Sequence, residues 1–251
     1  MSSITISLIV FACVFGGALL GIFLHAVLPQ HHLGNESKDI VKLGMGLVGT
    51  MAALVLGLLV ASAKGSYDAQ SAELTQLSAN IALLDRGLAL YGPETKETRA
   101  LLRGAVVRIL DQMWSKDATR ASPSAPTSSG GEILYDKIQG LTPKNDAQRM
   151  LQSQALNIGM DVGKTRWLMY AQEATSVSMP LLVVLVLWLT VIFISFGLFA
   201  PFNTTVVASL FISALSVSGA IFLILEMYTP YAGLVEISSA PLRAALAHLG
   251  Q

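Results

Sequence analysis

The chain has 251 residues, 53% of them hydrophobic and only 13% charged, about half the charged share of a soluble globular domain. Its 16 Lys and Arg residues balance 16 Asp and Glu residues, so there is no basic excess of the kind that nucleic-acid binding needs, and no nucleic-acid partner is expected. A single cysteine, Cys13, excludes an intramolecular disulfide.

The first apolar block covers residues 4–27, more than the roughly 20 residues that cross a bilayer. No Lys or Arg precedes it and its apolar stretch is too long for a secretory signal, so it is predicted to be a retained helix. Within it Gly17 and Gly21 form a G-x-x-x-G pair, a spacing that lets two membrane helices approach closely. His25, near the outer end, reads as an interfacial polar residue. The loop that follows, LPQHHLGNESKDIVK, carries His31, His32, Glu36 and Asp39. Imidazole and carboxylate together can hold a divalent metal, but this spacing matches no metal site and none is expected. The loop reads as solvated, with a helix N-cap at Asn35 or Ser37, or as a ring of charges at a pore mouth.

The second block, residues 43–63, is uncharged. Gly46, Gly49, Thr50, Ala53, Gly57, Ala61 and Lys64 fall at helical spacing along one side, opposite the bulkier Val48, Met51, Val55, Leu58 and Leu59. A face of small residues lets another helix backbone approach or, repeated around an axis, lines a conduction path. Gly44-Met45-Gly46-Leu47-Val48-Gly49 matches G-x-G-x-x-G literally, but that fingerprint needs a preceding strand in a βαβ unit. Here it opens a membrane helix, so no nucleotide or other cofactor is expected.

Beyond the second block, Leu74, Leu77, Ile81, Leu84, Leu88 and Tyr91 recur three and four apart, the seam of an amphipathic helix, and Gly92-Pro93 ends it. A second helix carries Leu102, Val106, Ile109 and Met113 on one stripe. Residues 121–131, ASPSAPTSSGG, read as a flexible linker. Thr142-Pro143 reads as an N-cap with proline at the first helical position, opening a helix with Leu151, Ala155, Ile158, Val162 and Met169 on one face. The third apolar block covers residues 181–200, Pro201 and Asn203 make a turn, and the fourth covers residues 204–227. Glu226 is the one carboxylate inside an apolar block. A charge there calls for a partner, and Lys64, at the same depth at the end of the second block, is predicted to supply it. Tyr67, Tyr228 and Tyr231 fit an interfacial aromatic belt.

Backbone in lipid must satisfy its own hydrogen bonds, so each block is a helix. The expected fold is all-α: transmembrane helices 1 and 2 in residues 1–63, an inserted helical domain in 64–178, transmembrane helices 3 and 4 in 179–227, and an amphipathic tail in 228–251. Lys64, Lys164 and Arg166 near the spans outnumber Lys38 and Lys42 on the other side, which predicts cytoplasmic termini and a cytoplasmic inserted domain. No H-E-x-x-H, G-x-S-x-G or P-loop is present, and no enzymatic activity is expected.

Residues 31–70, HHLGNESKDIVKLGMGLVGTMAALVLGLLVASAKGSYDAQ, and 224–250, ILEMYTPYAGLVEISSAPLRAALAHLG, resemble the bacterial membrane-protein family called bestrophin-like (DUF4239). Many members of that family carry Asp-Arg before the proline, where this chain has Tyr228-Thr229. More distantly the chain is similar to the bestrophins, pentameric anion channels with two helices, a cytoplasmic helical domain and two further helices. Lys64-Gly65-Ser66-Tyr67-Asp68 is similar to the stretch after the pore helix of bacterial bestrophins. The resemblance implies a homo-oligomeric, anion-conducting channel of the bacterial inner membrane whose second span lines the pore. Bestrophin necks are narrowed by bulky apolar side chains, whereas Ala53, Gly57 and Ala61 stand here, implying a wider neck or a gate elsewhere. The acidic calcium clasp of animal bestrophins has no counterpart. The competing expectation is a non-conducting scaffold or sensor that recruits a partner through its cytoplasmic helices.

Overall fold

The computed structural model describes residues 2–29, 35–114, 128–173, 178–231 and 233–250 (of residues 35–37, 128–130 and 173 the backbone alone). The helices in chain order are α1 (Ser3–Val27), α2 (Asn35–Tyr91), α3 (Lys96–Met113), α4 (Ser128–Gln139), α5 (Asp146–Glu173), α6 (Met179–Phe199), α7 (Thr204–Met227) and α8 (Ala240–His248). No strand occurs among the described residues, and the protein is all-α. Four helices, α1, α2, α6 and α7, are long and apolar enough to cross a membrane. The chain divides into two compact units, one of Met1–Gly65 with Ser176–Tyr228, the other of Ser66–Thr175 with Thr229–Gln251.

In the first unit α1 packs along α6 and α7. Its glycine pair faces α6. A Cβ on Gly17 would stand 3.0 Å from Thr190 Cγ2, and one on Gly21 would fall against the Ile194 carbonyl, with Leu198 N at 2.9 Å. Gly197 of α6 returns the contact, its missing Cβ directed at the Ala18 carbonyl with Ile22 N at 2.9 Å. The two backbones therefore touch where both helices lack side chains, the close approach that a G-x-x-x-G spacing permits. Polar groups within this unit find local partners. The buried Ser218 hydroxyl of α7 donates to the Ser7 carbonyl of α1 at 2.6 Å. His25 Nδ1 lies 2.8 Å from the Leu198 carbonyl, one of the last four of α6 that no helical N–H can satisfy. The turn between α6 and α7 closes with Asn203 as N-cap, its Oδ1 accepting from Val206 N at 2.8 Å.

In the second unit the predicted seam is the core. Leu74, Leu77, Ile81, Leu84 and Leu88 are each no more than 1% exposed, packed with Leu102, Val106 and Met113 of α3, Ile138 of α4, and Ala155 and Met169 of α5. Gly92, at φ 139 and ψ −178, takes a conformation open essentially to glycine alone and turns the chain out of α2. The buried Thr95 hydroxyl then reaches back to the Leu88 and Gly92 carbonyls at 2.6 and 2.8 Å. Asp85 and Arg99 meet across this turn in a two-pronged ion pair, Nε to Oδ1 at 2.8 Å and Nη2 to Oδ2 at 2.7 Å, with the Asp85 side chain 6% and that of Arg99 16% exposed. The hydrogen bond to Asp85 raises the Arg99 pKa further above its ordinary value. At the surface, Lys144 Nζ sits 2.6 Å from Glu94 and Lys137 Nζ 2.8 Å from Glu97; the hydrogen bond from Lys144 holds the Glu94 carboxyl below the usual glutamate value.

Several expectations are corrected. The second span and the seam helix are one uninterrupted helix of 57 residues: no proline interrupts it, and Gly65 alone, costing about 1 kcal/mol, does not break it. Residues 128–131 of the expected linker form the first turn of α4, where no residue depends on a preceding helical carbonyl and glycine is tolerated; residues 121–127 lie outside the described residues. Thr142-Pro143 does not open α5. Asn145 caps it, with Oδ1 accepting from Gln148 N at 2.8 Å, while Gln148 Oε1 accepts from Lys144 N at 2.7 Å and Gln148 Nε2 donates to the Tyr91 carbonyl at 2.9 Å. With Asn145 satisfying Gln148 N and Gln148 satisfying Lys144 N, the helix starts here rather than at a threonine that has no glutamine or glutamate three residues on. Asn145→Ala is therefore expected to destabilise the second unit by about 1 kcal/mol, seen as a lower thermal midpoint; an unchanged midpoint would show that Gln148 holds α5 alone. Tyr231, expected in an aromatic belt, is 4% exposed in the core of the second unit, edge-on to Trp114 with centroids 5.6 Å apart.

Described residues beyond α7 belong to that core as well. Ile237, Leu242 and Leu249 are buried in it. Trp114 Nε1 donates to the Ile237 carbonyl at 2.9 Å, Arg103 Nη1 to the Leu249 carbonyl at 2.9 Å, and Gly250 N to Asp85 Oδ2 at 3.3 Å.

Candidate functional site

The chemistry-bearing candidates concentrate on the apolar half of α2. Only 11% of its apolar window is buried, against 33% for α1 and α6 and 28% for α7, so α2 is the span least covered by its own chain. Its buried positions are Ala52, Leu59 and Ala63, with Met45, Val48, Val55 and Leu56 half-buried beside them. These face the rest of the first unit. The remaining surface divides in two. Ile40, Leu43, Leu47, Met51, Leu54 and Leu58 are exposed along one stripe, the large apolar surface that suits lipid. Along another, Gly46, Thr50, Ala53, Gly57, Ala61 and Lys64 are exposed and Gly49 is half-exposed.

The bulky side expected opposite the small face thus splits: Val48, Val55 and Leu59 turn inward, while Met51 and Leu58 remain outside. Among the described residues no atom other than the neighbouring backbone of α2 itself lies within 4 Å of where a Cβ would stand on Gly44, Gly46, Gly49 or Gly57. This is the reverse of Gly17 and Gly21, so the small face of α2 is not a contact with another span of the same chain. The Thr50 hydroxyl donates to the Leu47 carbonyl at 2.7 Å, keeping that polar group satisfied on its own helix.

Lys64 ends the exposed stripe and Glu226, 6% exposed, occupies the last turn of α7. The Ser62 and Tyr228 hydroxyls lie 3.1 Å apart, which brings the chain two residues before Lys64 beside the chain two residues after Glu226. Neither Lys64 nor Glu226 is without a partner. At the other end of α2, Asp39 is exposed and stands 3.9 Å from Lys42. His31 and His32 lie outside the described residues, as does the Glu36 side chain. Among the described residues no group of three or more His, Cys, Asp or Glu side chains is placed to hold a metal ion. Cys13 is exposed on α1.

Sequence reasoning missed the Asp85–Arg99 pair and the Ser7–Ser218 bond. The first joins residues 14 apart across a turn, which no helical period reveals. The second had a signal in principle, since a serine in a lipid-facing helix tends to seek an interhelical partner, but the partner lies 211 residues away.

A family model for the bestrophin-like domain matches residues 11–242, which takes in most of α1, all of α2 to α7 and the start of α8. No curated protein and no solved structure matches the chain.

Proposed function

This chain belongs to the bestrophin-like family, and from that premise we propose that it is an oligomeric, anion-conducting membrane channel whose α2 small face lines the conduction path. The observation that supports this is the run of exposed Gly46, Thr50, Ala53, Gly57 and Ala61 with half-exposed Gly49 on a helix whose bulky residues already serve the chain's own core and a separate apolar stripe. Small side chains gain little from lipid, while around an axis they leave room for an ion. Five copies is the number that the resemblance to bestrophins implies. The proposed setting is the bacterial inner membrane, with both termini and the second unit in the cytoplasm as the basic residues near the spans suggest.

Lys64, at the end of the stripe, would favour anions by its charge. The proximity of Ser62 and Tyr228 supports pairing of Lys64 with Glu226, and such a pair would offset part of that charge. Glu226→Gln should then raise anion over cation permeability in reconstituted liposomes. An unchanged ratio would leave Lys64 outside the conduction path or unpaired with Glu226.

The defining test is the mass of the intact complex in lipid nanodiscs together with anion flux. A ring of subunits whose flux is abolished by Gly57→Trp is the expected result, because an indole placed on the open face would fill a narrow path. A ring whose flux is unaffected removes α2 from the pore. A monomer or dimer leaves no ring, and the exposed Met150, Met160 and Trp167 of α5 would then favour the scaffold reading, with those side chains as a partner's docking surface.

A further inference from the structure

Among the described residues, Ile40, Leu43, Leu54, Met150, Phe202 and Leu234 are the large apolar side chains more than 70% exposed. Ile40, Leu43 and Leu54 lie along the apolar half of α2 and Phe202 in the turn between α6 and α7, where lipid accounts for them. Leu234, at 80% the most exposed, lies in the second unit, in the segment between α7 and α8. A single leucine at a surface needs no explanation; Leu234 is set apart by its depth.

Two tethers fix that depth. The helix α2 is continuous, and Tyr67 stands three residues past Lys64, the first charge after the apolar block of residues 43–63. At about 1.5 Å per residue this is about 4.5 Å along the axis. Helical side chains lean toward the N-terminus, so the Tyr67 hydroxyl, which donates to the Glu236 carbonyl at 3.4 Å, reaches back toward the turn that holds Lys64. Glu236 therefore stands at the level of the headgroup layer, roughly 5–8 Å thick on each side of the hydrocarbon. From the other direction, Pro230 is three residues beyond Met227, the end of α7, at most about 10 Å of extended chain. Ile237 N donates to the Pro230 carbonyl at 2.7 Å, so the segment leaves and returns at one place.

The base of the segment is held firmly. Tyr231 and Ile237 are buried in the core of the second unit, and Trp114 packs edge-on to the first and donates to the carbonyl of the second at 2.9 Å. Gly233, at φ 114, takes a backbone conformation that suits glycine and turns the chain at the foot of the tip. Leu234 is thereby held outward, with Val235 half-buried beside it.

We propose that Leu234 and Val235 enter the boundary between phospholipid headgroups and acyl chains, on the side of the bilayer where α2 leaves it, and so moor the second unit to lipid through its own surface. The contact is apolar: no basic side chain stands at the tip and the neighbouring Glu236 is exposed, so it does not depend on anionic headgroups. The inference rests on the four apolar helices crossing a membrane and is independent of conduction.

Depth-resolved fluorescence quenching of the full-length protein in phosphatidylcholine nanodiscs tests it. Cys13→Ser removes the one native cysteine, and Leu234→Cys, Leu187→Cys or Leu90→Cys then carries a nitrobenzoxadiazole label. All three positions are exposed; Leu187 lies midway along α6, and Leu90 lies about 39 Å along α2 from Lys64. At Leu234 the label should emit to the blue of the Leu90 label and lose more emission to phosphatidylcholine brominated near the glycerol end of its chains than to lipid brominated near the terminal methyl. The Leu187 label should show the opposite order, and the Leu90 label should respond only to aqueous iodide. A Leu234 label that behaves as the Leu90 label does would overturn the proposal. So would one shielded from both bromines and iodide, which would mean that protein, a second copy of the chain included, covers the tip.

Discussion

Asp85→Ala should destabilise the second unit by about 3–5 kcal/mol, the cost of breaking a buried ion pair by removing its carboxylate. The guanidinium of Arg99 would remain charged with its side chain only 16% exposed and with both of its bonds to Asp85 removed. Gly250 N would lose its acceptor at the same time. Because domain stabilities are typically about 5–15 kcal/mol, such a loss consumes much of the total. Hydrogen exchange should show it first in α3 and in residues 237–250, which are tied to that pair. A double variant, Asp85→Leu with Arg99→Met, removes both charges and should recover much of the loss, since well-packed apolar replacements of buried pairs are often neutral or better. If Asp85→Ala melts within about 1 kcal/mol of the parent, well short of the cost of breaking a buried ion pair, the pair is solvated in solution and the core does not depend on it.

Gly21→Leu should prevent the first unit from assembling. The substituted Cβ alone would collide with the Ile194 carbonyl, and backbone cannot rotate away as a side-chain tip can. The helices would have to separate, losing the reciprocal contact of Gly197 with Ala18 and the 2.8 Å bond from His25 to the Leu198 carbonyl. Overpacking a tight contact costs about 1–3 kcal/mol and at times more; with two backbones in contact the upper end applies. Size-exclusion chromatography in mild detergent should show aggregation or loss of the main peak. Gly16, on the same helix beside Gly17, has nothing from another element within 4 Å of where its Cβ would stand. Gly16→Leu should run as the parent does, and equal behaviour of the two variants would refute the packing assigned to α1 and α6.

The spans were legible because hydropathy records which residues meet lipid: residues 4–27, 181–200 and 204–227 anticipate α1, α6 and α7 to within two residues. The seam was legible for a similar reason, since burial of Leu74 to Leu88 follows from a periodic stripe. What a single helix's pattern does not encode is its partner. The small face of α2 and the glycine pair of α1 look alike on paper, yet one is open and the other is in backbone contact. Thr142-Pro143 was a plausible helix start, displaced by Asn145 because Asn145 and Gln148 between them satisfy Gln148 N and Lys144 N.

The burial of Tyr231, Ile237, Leu242 and Leu249 in the second unit bears on how the protein is made. Chains generally fold from the N-terminus as they emerge from the ribosome. The seam of α2 and the helices α3 to α5 are synthesised before α6 and α7, but the residues that complete their core come after both. The second unit therefore waits, with apolar surface uncovered, until the last two spans have been threaded into the bilayer. Its completion reports that insertion has finished, and a chain stalled before Tyr231 would present an unfinished core to proteases and chaperones.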